Sequence, residues 1–349
     1  MTIRRVLLAP VLTTLALVPC GCLEIQLDTR VDADGTLERG EVVTGDSAEA
    51  SQFGFLSPVD ATWHVSAGRS GADAFARTAV KRFAGPEAFN AALGDTAAGT
   101  LPVTAALERR FLWFYSDLTY RERYRRWNPF GVVPLSAYLS AGEIARAMNP
   151  PRVDSAQTAS DSAAREAFSR RWTAWMYRDM FEDWYAELMK GVRDLGDPRL
   201  TPGAVASRKE EIFARGRAWW ASGGAGDTLG RLVTAAVGSP LVPEAIRRNG
   251  AGFALHREKL SRVARVIGKL KRVTIAMPGT LVETNASAVE ASAGTWKGIA
   301  EMSYAADYEA RISSRIVNWW CVALTGLIVL AAVVMLLRSR TASTPPQAR

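Results

Sequence analysis

The chain predicts an α+β fold: an antiparallel, β-rich ectodomain carrying a large helical insertion or cap, followed by one C-terminal transmembrane helix. Three observations predict it. Apolar and polar residues alternate with the period of a strand near both ends. Residues 135–269 switch to helical spacing. Ile316 to Leu337 is a run of 22 residues without a formal charge. At a 1.5 Å rise per residue it covers about 33 Å, enough for a bilayer core of about 30 Å.

Taken in order, residues 1–21 read as a lipoprotein-type signal peptide. Arg4 and Arg5 form a positive start, Val6 to Val18 an apolar stretch interrupted by Pro10, and small residues follow. Gly21 ahead of Cys22 suits lipoprotein cleavage, whereas Pro19 ahead of Cys20 does not, so Cys22 is the predicted lipid acceptor. The alternative is ordinary cleavage with an unmodified cysteine.

Residues 22–134 form the first part of the ectodomain. Leu23, Ile25 and Leu27 alternate with Glu24, Gln26 and Asp28, and Asp34-Gly35 signals a hairpin into a second strand ending near Val43. Asp32 to Gly35 looks like the start of a calcium loop, but no Glu follows at the twelfth position, so it reads as a turn. Phe53 to Pro58 reads as a loop, Thr62 to Ala67 and Ala74 to Phe83 as strands, and Glu87 to Leu93 as a short helix. Leu107 to Tyr124 reads as a single long strand, with Leu118, Tyr120 and Tyr124 on one face and Arg121, Arg123 and Arg125 on the other.

Residues 135–269 form the helical insertion, with helices expected over 140–148, 165–193, 204–220, 227–237 and 253–270. In the longest, Phe168, Trp172, Trp175, Met176, Met180, Trp184 and Leu188 recur at helical spacing. Residues 270–315 return to short strands that complete the first sheet, with Pro278-Gly279 as a tight turn between two of them. Residues 316–337 are the transmembrane helix, opened by Trp319 and Trp320 at the aromatic-belt position. Residues 338–349 are a basic tail. Its Arg338, Arg340 and Arg349 place the C-terminus in the cytoplasm, and the ectodomain on the periplasmic or extracellular side of a single-pass cell-membrane protein.

Topology changes the meaning of the charge. Lys and Arg number 43 against 35 Asp and Glu, a formal +8 with a pI near 9.6. Setting aside Arg4, Arg5 and the three tail arginines leaves 38 basic against 35 acidic residues, or +3 on the ectodomain. Compartment and charge together exclude nucleic acid as a partner. Composition excludes a wholly disordered chain, a collagen and a disulfide-dense scaffold. No cysteine lies between residues 23 and 320, so the ectodomain has no disulfide or thiolate metal site of its own. His64 and His256 are the sole histidines, so no H-E-x-x-H zinc motif exists and a Ser-His-Asp arrangement would need one of them. No cofactor or metal is expected. Carboxylate chemistry and a calcium site stay open.

Certain motifs suggest a family. CLEIQLDTRVDADGTLE at 22–38, MPGTLVETNA at 277–286, Thr295-Trp296, and then one terminal helix with a basic tail resemble the LppM-type bacterial lipoproteins. The likeness covers roughly residues 22–45 and 270–340 and leaves out the helical block. It implies an envelope location, a membrane anchor and a β-rich ectodomain with no established reaction. It carries over no catalytic residue.

Arg247 to Arg272 is the most basic segment, with Arg247, Arg248, Arg257, Lys259, Arg262, Arg265, Lys269, Lys271 and Arg272 against Glu258. Phe253, His256, Leu260, Val263, Ile267 and Leu270 form its apolar face, so it reads as a basic amphipathic helix. Such a face suits anionic lipid, a wall polymer or an envelope protein; it equally suits a solvated surface over a core. With this segment at +8, the rest of the ectodomain is −5. Arg121, Arg123 and Arg125 could hold a phosphate or carboxylate, or protect a sheet face. The Trp172, Trp175, Trp184 and Trp219, Trp220 groups could line a groove or fill a core. Glu283 with Asn285 and Glu182 with Asp183 are the acidic pairs a carboxylate enzyme could use. The expected function is an exported, membrane-anchored lipoprotein serving as an envelope binding or interaction module. An exported carboxylate-dependent hydrolase or transferase on envelope polymers, or an accessory subunit of a membrane assembly, are the alternatives.

Overall fold

The computed structural model describes residues 23–70, 74–94, 101–148, 159–221 and 228–342. Cys22, the signal segment and Arg349 lie outside them. The architecture is α+β, with eleven helices and two mostly antiparallel sheets among the described residues. The chain divides into two compact units, a sheet unit built mainly of Leu23–Asn128 and Arg265–Arg349 and a helical unit of Pro129–Ala141 with Ser160–Ala264.

The sheet unit opens with β1 (Glu24–Val31) and β2 (Leu37–Gly45), paired antiparallel. The turn between them uses Gly35 at φ +93°, and the Asp34 carboxylate accepts the backbone N–H of Thr36. After α1 (Ser47–Gln52), β3 (His64–Ser70) and β4 (Ala74–Phe83) extend the sheet beyond β2. Helix α2 (Pro86–Leu93) follows, with proline at its first position where no N–H is needed. The expected strand over 107–124 is two strands. β5 (Val103–Leu112) and β6 (Tyr115–Tyr124) pair around a two-residue turn at Trp113 and Phe114. Neither is a turn-forming residue, so the break had no compositional mark. Asn90 of α2 bonds both backbone groups of Ala105, closing part of the β5 edge.

After α3 (Ala141–Met148) and the helical unit, β7 (Leu270–Ala276) returns beside β1. It runs parallel to β1, the exception to the antiparallel pattern. Pro278-Gly279 does not join paired strands. It carries the chain from the first sheet to β8 (Thr280–Thr284) in the second, with Gly279 at φ +80° and room for no Cβ beside the Arg315 carbonyl. β9 (Ala288–Glu290) and β10 (Ala293–Trp296) complete the first sheet, in the order β3-β4-β2-β1-β7-β10-β9.

The helical unit is built on α4 (Ala159–Leu195), with α5 (Pro202–Ala206), α6 (Lys209–Ala221), α7 (Thr228–Val237), α8 (Val242–Arg248) and α9 (Gly250–Val266). Its core gathers Phe181, Trp184, Leu188, Val205, Val233 and Phe253. Segment 129–141 is clamped to α4, because Asp179 accepts the N–H groups of Gly131, Val132 and Val133 at 3.1, 2.7 and 2.6 Å. Gly191 lets α4 meet α8 closely: a Cβ there would run into the Ala245 carbonyl oxygen.

After α10 (Ile299–Ala305), β11 (Tyr308–Val317) pairs with β6 and β8, and the second sheet is ordered β5-β6-β11-β8. One residue, Asn318, separates β11 from α11 (Trp319–Ala342). Within α11, Trp319–Arg338 is long and apolar enough to cross a membrane. Ile316 and Val317, counted in the apolar run, belong to the strand instead.

Candidate functional site

The nine cations of 247–272 do not share one helix. Arg247 and Arg248 close α8, Arg257 to Arg265 lie on α9, Lys269 lies in the connection after it, and Lys271 and Arg272 belong to β7. Asn249 breaks the helix between the first two groups, and its side chain amide bonds Glu187 of α4. The expected apolar face is present, with Phe253, His256, Val263, Ile267 and Leu270 buried.

Several of these cations have local partners. Lys259 donates to Asp183 at 2.5 Å, Arg247 pairs with Glu244, and Arg272 donates to Gln26. Lys269 sits over the Phe53 ring at 4.5 Å. Arg248, Arg257, Arg262 and Arg265 have no carboxylate partner among the described residues. At 100° per residue, Arg257, Arg262 and Arg265 share an arc of about 140° on α9, opposite the buried stripe.

The second predicted cluster lies on the outer face of the second sheet. Arg121 forms a bidentate pair with Glu108, and Arg123 pairs with Asp307. Arg125 is exposed and contributes to holding the Asp307 carboxyl below its ordinary range; the larger causes are the Arg126 backbone N–H and the Arg123 side chain. Arg311 with Glu283 and Arg315 with Asp117 continue the same lattice of opposite charges.

The two acidic pairs are engaged as well. Glu283 pairs with Arg311, while the Asn285 amide oxygen accepts from Trp296 and from the Arg311 backbone. Glu182 bridges Arg178 and Lys209. Asp183 holds His256 Nδ1 at 2.7 Å besides Lys259. Burial keeps the His256 imidazole below its ordinary pKa, and the Asp183 hydrogen bond only partly offsets it. This is the geometry of an oriented imidazole, but Nε2 is buried, with Phe130 against the ring. Proton transfer to a substrate needs that nitrogen within reach. His64 lies on β3, an edge strand of the first sheet.

Trp172, Trp175 and Trp184 are buried in the helical unit. The side chains of Trp219 and Trp220 lie outside the described ones. A depression of about 300 Å³ near the end of α4 is open, and its Asp197 is bound to Arg199, which lowers the carboxyl to about 2. Among the described residues no group of three His, Cys, Asp or Glu side chains could hold a metal ion.

One polar cluster was missed by sequence reasoning. Arg39 of β2 and Glu122 of β6 meet at 3.1 Å between the sheets, both fully buried. Thr29 donates to Glu122 at 2.5 Å, Tyr120 at 3.0 Å and Tyr124 at 2.5 Å, while Arg39 donates to Thr29 at 2.6 Å. Burial is the largest influence and opposes the Arg39 charge, but the Glu122 carboxylate together with Tyr124 and Tyr120 outweighs it, so the guanidinium is held protonated. Burial, then the Glu122 charge, pushes both tyrosine hydroxyls well above their ordinary range, fixing them as donors. Nearby on β2, Glu41 is buried and accepts the N–H groups of Leu56 and Ser57. The available signal was alternation itself: Arg39, Glu41 and Glu122 fall on the same parity as the apolar residues of their strands.

No family model and no curated protein matches the chain. Among solved structures, the folded domain of Mycobacterium tuberculosis LppM, determined by NMR, aligns over 85% of this chain and 91% of that one. The identity is 8% and the TM-score 0.26. A likeness of that size settles neither fold nor activity for this chain.

Proposed function

We propose that this protein is a membrane-anchored envelope module that acts by binding rather than by a reaction of its own. Helix α11 tethers it, and the arginine arc of α9 meets an anionic surface or polymer. The observation that carries this reading is the exposed apolar span Trp319–Arg338, which leaves the sheet unit after a single intervening residue. Lipidation at Cys22 would add a second tether. Support for the binding face comes from Arg257, Arg262 and Arg265, which point away from the buried stripe and have no carboxylate partner among the described residues. Near an anionic surface each such cation contributes about 1 kcal/mol, screened by salt.

The test uses the full chain. Alkaline extraction of membranes should leave it in the pellet, and truncation before Trp319 combined with Cys22→Ala should release it. In the released form, Arg257→Glu, Arg262→Glu and Arg265→Glu together should abolish salt-sensitive binding to anionic vesicles or wall fragments. Binding unchanged by the triple variant at low salt would refute the arginine arc as the binding face. Metabolic lipid labelling that survives Cys22→Ala would rule out Cys22 as the sole acceptor.

A further inference from the structure

The tip of the β5–β6 hairpin breaks the rules of a water-facing turn. Two-residue hairpin turns favour Gly, Asn or Asp where φ is positive. Here Trp113 takes that place at φ +51°, followed by Phe114. A bulky residue in the left-handed region is strained, and such strain persists where the surroundings over-determine it. The surroundings are aromatic. Phe111 stacks on Trp320 with ring centres 5.9 Å apart, and Trp113 lies 6.2 Å from the same ring. Even so, Phe111, Trp113 and Phe114 are each 45–49% exposed, and Trp319 and Trp320 are 73% and 60% exposed.

Both carbonyls and the indole N–H of this tip have partners within the chain. The Trp113 and Phe114 carbonyls accept from the side-chain amide and backbone N–H of Asn318, both at 2.8 Å. Ser116 donates to the Asn318 amide oxygen at 3.0 Å. Trp113 Nε1–H donates to Thr325 Oγ1 at 3.0 Å. Thr325 lies six residues beyond the first residue of α11, about 9 Å down the helix axis. The hairpin tip therefore runs beside the opening turns of the apolar helix, with both turn carbonyls and an indole N–H satisfied without water. Backbone immersed in lipid requires that internal pairing. The first charges above the tip are Arg109 and Arg110 on β5, and Arg315 paired with Asp117, an excess of positive charge of the kind that suits lipid headgroups.

We propose that the β5–β6 tip is a second membrane element: it enters the interfacial layer of the bilayer that α11 crosses and, bonded to α11 through Asn318 and Thr325, fixes the sheet unit on the lipid surface. The partner is the bilayer itself. This rests on the reading of α11 as a membrane span.

The experiment places a fluorescent amino acid by codon suppression at position 114, 125 or 330 of the full chain. Each protein is reconstituted in phosphatidylcholine–phosphatidylglycerol vesicles with or without brominated acyl chains. Arg125 follows the far end of β6, about 35 Å from position 114 at strand rise, and reports the aqueous side. Position 330 reports the span. The expected result is loss of most emission at 114 and 330 in brominated lipid, with 125 unaffected and quenched instead by aqueous iodide. A fluorophore at 114 that follows 125, while 330 is quenched by lipid, overturns the proposal and leaves the span intact. A fluorophore at 114 reached by neither quencher means a protein partner covers the tip, which also overturns it. If 330 escapes lipid quenching, the membrane span itself fails, and the proposal with it.

Discussion

Replacing Glu122 or Arg39 should produce unequal losses of stability, because the two ends of the buried pair are solvated differently. With Glu122→Leu, Arg39 remains a buried cation without a carboxylate partner, its Nε unbonded and its terminal N–H left to hydroxyls such as Thr29. Thr29, Tyr120 and Tyr124 also lose the oxygen they donate to. Breaking a buried pair this way costs about 3–5 kcal/mol. With Arg39→Met, Glu122 keeps three O–H donors, so the loss should be smaller, about 2–3 kcal/mol. Replacing both removes the stranded charge, and the double variant should fall short of the summed singles by about 2 kcal/mol or more. The assay is thermal unfolding of the detergent-solubilised full chain, followed by near-UV circular dichroism. For a unit of this size, 4 kcal/mol corresponds to roughly 10 °C in Tm. Additive single effects, or a larger loss for Arg39→Met than for Glu122→Leu, would refute the account of this cluster.

Other predictions concern the helical unit. Asp179→Ala removes the carboxylate that accepts three backbone N–H groups, should cost about 3 kcal/mol, and should expose residues 131–133 to rapid amide exchange. Gly191→Ala drives a Cβ into the Ala245 carbonyl and should cost about 1–3 kcal/mol by chemical denaturation. His256 has a folded pKa below its unfolded value through burial, despite Asp183 and Glu187 and with Lys259 adding to the depression. The unfolded chain therefore binds the proton first as pH falls. Stability should be complete above about pH 6.5 and decline below it, and His256→Gln should flatten that decline in denaturant midpoints.

Much of the strand and helix pattern was legible because burial imposes a period. Residues 24–31 and 37–45 alternate, and the inward faces of α4 and α9 follow from their apolar spacing. Pairing across long sequence separations leaves no such trace. Lys259 reads as a free cation in the sequence, yet Asp183 stands beside it from 76 residues away. The parallel pairing of β7 on β1 was equally invisible, since alternation shows a strand but not its neighbour. Charge misled in both directions. It drew attention to Arg121 and Arg123, which are held in surface pairs, and away from Arg39 and Glu122, whose parity marked them as inward-facing.

The hairpin tip and the buried pair bear on one mechanical question, namely how the sheet unit would be held if α11 spans a membrane as proposed. The second sheet is joined to α11 through Asn318, which bonds the β5–β6 turn by both its backbone and its side chain. A flexible linker at this place would have let the sheets tumble relative to α11; one residue with three hydrogen bonds does not. The first sheet carries β1, whose start follows the predicted lipid site at Cys22, and it meets the second through Arg39, Thr29 and Glu122. Apolar packing between the two sheets would resist separation but tolerate sliding, since it is not directional. A carboxylate accepting from three hydroxyls and a guanidinium fixes one register, because any shift strands a buried charge. On the proposed membrane placement, the ion pair would transmit to the first sheet the orientation that α11 and the hairpin tip impose on the second.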